Sequence, residues 1–151
     1  PNPAPTPGAT PDPRSLLAPG PVQRVRAKVH TIDVDPANPG RSFRDPFTEG
    51  PCTSDSDCFV VLYIGEFVKF DSRQSNAQGQ ECQWIRDPVW TWNGATVVPF
   101  ADSPNGGALR NRDSSNPYVL RVDAVTPGDV VLQAQVDGIF SNFVAVRVKR
   151  P

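Results

Sequence analysis

The last third of the chain constrains the fold most. Leu120, Val122 and Ala124 alternate with Arg121 and Asp123; Val130, Leu132, Ala134 and Val136 alternate with Gln133, Gln135 and Asp137; Val144, Val146 and Val148 alternate with Arg147 and Lys149. An apolar side chain at every second residue suits a half-buried strand, whose successive side chains point to opposite faces, and suits no helix. Thr126-Pro127-Gly128-Asp129 and Asp137-Gly138 punctuate these runs with turn residues. The expectation is three consecutive antiparallel strands joined as a meander or by hairpins.

The same period recurs upstream. Val25, Ala27 and Val29 alternate with Arg24, Arg26, Lys28 and His30, and after His30 the apolar phase moves by one residue to Ile32 and Val34, as a bulge or a switch between sheets requires. Cys58 to Phe70 is the most apolar stretch, and Gly65-Glu66 within it implies two strands or one sharply bent strand. Trp90 and Trp92 fall on one face and read as core, with Asn93-Gly94 as the turn that follows. Asp35 to Pro51, Asp71 to Glu81 and Asp102 to Asn116 read as loops, the first pinned to the core by Phe43 and Phe47. With 18 prolines in 151 residues and no sustained helical periodicity, the core must be assembled from short strands.

Eight of the first 21 residues are proline, with Gly, Ala and Thr between them. Residues 1–21 are therefore expected to form an extended polyproline-type arm, and residues 22–151 one domain. So little of the arm can enter a core that we expect it to lie along a neighbouring subunit or protein partner. The opening Pro1-Asn2-Pro3 carries neither an initiator Met nor a signal-peptide core, so a processed chain is expected, with a lipid anchor as one form of processing. No run approaches the roughly 18 apolar residues of a membrane-spanning helix.

Fifteen basic and 16 acidic residues leave a net charge of −1, which gives no reason to expect nucleic acid as partner. Cys52 and Cys58 flank a short polar loop that a disulfide can close, and Cys82 can pair with either of them or with another chain. An oxidising compartment suits these cysteines better than zinc, since no Cys-x-x-Cys pair is present. Arg24, Arg26 and Lys28 would join Arg147 and Lys149 in one basic face if the first and last strands were neighbours, a surface for an acidic partner, lipid headgroups or an acidic polysaccharide. Trp84, beside Gln83 and Arg86, is the candidate for an exposed sugar-stacking ring. Asp33, Asp35, Asp55, Asp57 and Asp71 offer oxygen ligands near strand ends, though such residues serve equally as turn formers.

Catalysis has little support. His30, the one histidine, sits among cations on a polar strand face, and a cysteine nucleophile would have no other base. Neither a Gly-x-Ser-x-Gly elbow, a phosphate loop nor a cofactor motif is present, so no enzyme activity and no cofactor are expected.

The ordered segments Val122-Asp-Ala-Val-Thr-Pro-Gly-Asp-Val-Val-Leu-Gln-Ala-Gln-Val-Asp-Gly138 and Phe143-Val-Ala-Val-Arg-Val148 resemble the closing strands of the group 2 bacterial immunoglobulin-like domains. Ile64-Gly65-Glu66-Phe67-Val68 is similar to that family's entry into its second strand, and Trp90-Thr-Trp92 to its core tryptophan strand. The likeness spans about Gln23 to Lys149. It implies an immunoglobulin-like β-sandwich with long loops, placed in the cell envelope or an extracellular assembly, as in surface proteins and lipoproteins. The function this suggests is a structural or interaction module tethered through its arm, or alternatively a carbohydrate-binding or adhesin-type domain.

Overall fold

The structure, a computed structural model, describes residues 21–34, 57–81, 88–113 and 119–150, with the side chains of residues 31, 33 and 34 excepted. Cys52, Cys82, Trp84, Phe43, Phe47, Asp35, Asp55 and residues 1–20, on which the sequence raised expectations, lie outside the described residues. The described chain is all β, in ten strands: β1 (Arg24–Val34), β2 (Cys58–Tyr63), β3 (Glu66–Ser75), β4 (Val89–Trp92), β5 (Ala95–Thr96), β6 (Leu109–Asn111), β7 (Val119–Ala124), β8 (Gly128–Val136), β9 (Ile139–Phe140) and β10 (Val144–Lys149).

These strands make two sheets. One runs β1-β3-β7-β6; the other runs β2-β10-β8-β4-β5, with β9 added beside β8. Every neighbouring pair is antiparallel except β2 and β10, which run parallel from Val144↔Cys58 to Lys149↔Tyr63. The alternating residues of both sheets meet in a single apolar cluster, a β-sandwich-like arrangement. Trp90 and Trp92 lie at its centre, 0% and 2% exposed. Each ring of that size buries roughly 150–250 Å², so at about 25 cal/mol/Å² each contributes about 4–6 kcal/mol of transfer free energy as an upper bound.

The phase change after His30 is a real bulge. Val29 opposes Phe70 while Thr31 opposes Lys69, which leaves His30 without a cross-strand mate. The interruption at Gly65-Glu66 separates two strands that belong to different sheets. Ile64 N–H donates to the Lys149 carbonyl in one sheet and Gly65 N–H to the Ala124 carbonyl in the other, and Gly65 takes a φ of 94° that favours glycine.

Three expectations need correction. Residues 71–75 are not loop: β3 continues to Ser75, with Ser72 and Gln74 facing inward and Asp71 and Arg73 outward. Asp102 to Asn116 contains β6, a three-residue edge strand paired to β7. The last three long strands do not form one meander, because β7 pairs with β3 and β6 while β8 pairs with β4, β9 and β10. The turn at 126–127 thus carries the chain from one sheet to the other. Alternation alone reports which face of a strand is buried, not which sheet the strand joins.

A second bulge clasps the sheets together. Gln135 opposes Phe140 but Leu132 opposes Val144, so the returning strand carries one extra residue. Ser141 N–H donates to the Ala134 carbonyl at 2.8 Å, and its hydroxyl accepts from Ala134 N–H at 2.9 Å. Asn142 is thereby turned toward β1, where its Oδ1 accepts from Ala27 N–H and its Nδ2 donates to the Ala27 carbonyl, both at 2.9 Å. The amide replaces a neighbouring strand at that point of the β1 edge.

Candidate functional site

Among the described residues, the outer face of the β1-β3-β7-β6 sheet carries most of the charge. Cross-strand register sets Arg24 opposite Ser75, Arg26 opposite Arg73 and Lys28 opposite Asp71; farther along, Lys69 opposes Arg121. Like charges directly opposed in a sheet are destabilising, so each such pair raises the question of what offsets it.

At the β6-β7 end the offset is local. Arg112 pairs with Asp123 and stacks over the Phe67 ring at 4.1 Å, Arg121 reaches Asp113 at 3.4 Å, and Arg110 reaches Asp102 at 2.7 Å. Each arginine there has its own carboxylate. The hydrogen bond from Arg110 holds the Asp102 carboxyl below its ordinary value.

The β1 end is built differently. Asp71, only 2% exposed, receives His30 Nδ1 at 3.0 Å and Arg73 at 3.6 Å, and Arg73 also binds Glu81 at 2.7 Å. Glu81 is delivered by a tight turn. Asn76 Oδ1 accepts from the N–H groups of Gln78 and Gln80, Gly79 adopts a φ of 77°, and the chain then bridges back so that Glu81 lies beside Ser75. Burial, then the Arg73 guanidinium, lowers the Lys28 pKa, with Asp71 acting in the opposite sense.

Between β1, the end of β3 and this turn lies a cleft of about 140 Å³, lined by Arg24, Arg26, Arg73, Gln74, Ser75, Gly79 and Glu81. A single water needs only about 10–15 Å³ of such space, so the cleft has room for a small ligand. Arg24, Arg26 and Arg73 each interact with a neighbour, Arg73 through its guanidinium with Asp71 and Glu81. Gln74, 1% exposed, has neither amide atom hydrogen-bonded.

The residues expected from sequence to form one basic face are divided. Arg24, Arg26 and Lys28 lie on one sheet, whereas Arg147 and Lys149 lie on the other, because the strand beside β10 is β2 and not β1. Arg147 pairs with Asp129 at 2.8 Å and lies 5.8 Å from the Phe59 ring centre. That second outer face is apolar along one row, Phe59, Ala145 and Val131. His30, expected among cations, has a carboxylate as its closest charged neighbour. Among the described residues no three His, Cys, Asp or Glu side chains gather as a metal site; Asp57 accepts from Phe143 N–H and Asp71 holds its ion pairs.

Arg73 and Glu81 were missed by sequence reasoning. The signal was the period-two run Lys69, Asp71, Arg73, hidden because its inward partners Ser72 and Gln74 are polar too. Cys58, buried at the start of β2, is disulfide-bonded, and both cysteines that could supply the second sulfur lie outside the described residues. No protein-family model, curated protein or solved structure matches the chain.

Proposed function

We propose that the chain is an exported, non-catalytic interaction or structural module with an immunoglobulin-like sandwich, working in a bacterial cell envelope or an extracellular assembly and using residues 1–21 as tether or docking strap. The observation that carries this reading is the strand order. Immunoglobulin-like sandwiches set strands A-B-E-D against C-F-G. Here β1-β3-β7-β6 takes the first order and β4-β8-β10 the second, while β2, between β1 and β3 in the chain, lies beside the last strand. Such folds present faces and loops to partners, and the concentration of charge on outer faces here agrees with that use. The Cys58 disulfide supports an oxidising compartment.

The deciding experiment is the native mass of the protein purified gently from its source, with co-purifying chains identified, compared with a form lacking residues 1–21. The expected result is a large complex that is lost with the arm. A monomer in both forms removes the assembly reading. A second reading, a carbohydrate-binding domain, is favoured by the cationic cleft beside β1.

A further inference from the structure

The cleft narrows the ligand chemistry. Among the described residues no apolar side chain lines it, so these walls offer a lipid tail or a hydrophobic peptide anchor nothing to bury against. Arg24 and Arg26 bring guanidinium groups, planar forks of N–H donors that suit an oxyanion, while Arg73 already binds Glu81 and Asp71. Glu81 and Ser75 on the same wall can accept from hydroxyl groups, which a bare inorganic anion does not carry in number. Beneath the cleft, the inward-facing Gln74 amide has neither its donor nor its acceptor hydrogen-bonded. Leaving such groups unpaired is costly, and a buried orphan of this kind calls for a reason. Arg26 stands opposite Arg73, so positive charge is concentrated at the same place even with Arg73 paired to Asp71 and Glu81.

We propose that the cleft between β1, the end of β3 and the 76–81 turn binds an acidic sugar residue of a polysaccharide, its oxyanion held by Arg24 and Arg26 and its hydroxyl groups by Glu81 and Ser75. The oxyanion is a carboxylate or a sulfate ester. This inference rests on the protein being a binding module.

The test uses the full chain and three polymers: polygalacturonate, dextran sulfate and uncharged dextran. Affinity electrophoresis is run on wild type, on Arg24→Gln with Arg26→Gln, and on Arg147→Gln with Lys149→Gln, which removes the same charge from the opposite sheet. Wild type is expected to be retarded by one charged polymer and not by dextran, and the polymer that works identifies the oxyanion. The β1 double variant should lose about ten-fold or more in affinity, the worth of a charge-assisted hydrogen bond, while the β10 double variant changes little. Arg26→Lys should bind more weakly than wild type, because it keeps the charge and loses the planar fork. Equal losses in the two double variants, or no retardation by either charged polymer, would overturn the proposal.

A readout free of substitutions follows the backbone amides of wild type by NMR while free galacturonic acid and glucose 6-sulfate are added. Shifts centred on Ser75, Gly79 and Glu81 support the site; shifts spread evenly over all basic residues overturn it. A chain that forms a large native complex yet ignores both polymers would sink the cleft and spare the module.

Discussion

Asn142→Ala should loosen β1 from the rest of the fold. The amide makes two 2.9 Å hydrogen bonds to the backbone of Ala27, a residue with no exposed surface. Two such bonds contribute about 1 kcal/mol each, and a backbone group left dry after truncation costs about 1–3 kcal/mol. Asn142 is itself half-buried, so water can follow the lost side chain part of the way. The expected loss is therefore about 2–3 kcal/mol. With a urea slope of about 2 kcal/mol/M for a domain of this size, the midpoint should fall by about 1 M. Fluorescence of the buried Trp90 and Trp92 reports the transition, and hydrogen exchange at the Ala27 amide reports the local effect. Asn142→Asp separates the two bonds. The introduced carboxylate still accepts from Ala27 N–H but meets the Ala27 carbonyl as a second acceptor, so its folded pKa rises above the unfolded value of about 3.9. Its deficit relative to wild type should then be smallest at acid pH and grow as pH rises through the folded pKa. If Asn142→Ala stays within about 0.5 kcal/mol of wild type and the Ala27 amide keeps its protection, the clasp is not what secures β1.

Leu132→Ala, at a fully buried position opposite both Trp92 and Val144, should cost about 2–5 kcal/mol in denaturant unfolding; a loss under about 1 kcal/mol would mean the two sheets are not packed there. Phe100 is 65% exposed at a φ of 58°, so Phe100→Asn, which tolerates that backbone and gives up little burial, should stabilise by about 0.5–1 kcal/mol; a loss instead would show that the ring packs on something. Lys28 has a folded pKa below its unfolded value, so its penalty is fully present below the folded pKa and fades as pH rises toward about 10.4. Lys28→Gln should therefore raise the thermal midpoint at pH 7 and lose that advantage in strong alkali. Asp102→Asn should lower stability slightly at neutral pH, and the gap should close as pH falls through the depressed Asp102 pKa; a gap that persists in acid would mean the Arg110 pair is not its source.

Much of the fold was legible wherever one strand face is apolar. The inward positions of β1, β7, β8 and β10 follow directly from period two, and the bulge at His30 from a one-residue change of phase. What failed shares a physical cause. β3 beyond Phe70 is polar on both faces, so hydropathy carried no period there, and β6 is too short for any period to appear. The missed half of β3 is where the cleft lies. Its β1 arginines were legible because they alternate with valine and alanine; Arg73 and Glu81 reach them only through cross-strand register and a turn, which no local pattern encodes. The placement of Arg147 and Lys149 failed at the level of topology, since a strand's partner depends on the whole fold rather than on its own residues.

The parallel pairing of β2 with β10 also governs how the domain would respond to tension. A pull toward the N-terminus from the start of β2, opposed by a pull toward the C-terminus from the end of β10, acts along the strands, and the two strands run the same way from Cys58 and Val144 to Tyr63 and Lys149. Their ladder is loaded in shear. All its hydrogen bonds must yield together, whereas a hairpin pulled at its open end parts one bond at a time. The amide clasp at Ala27 and the β1-β3 ladder would be engaged before that patch is reached from the N-terminal side. A module strung between an anchor and a load would therefore hold its shape through the strands that lie side by side near its end.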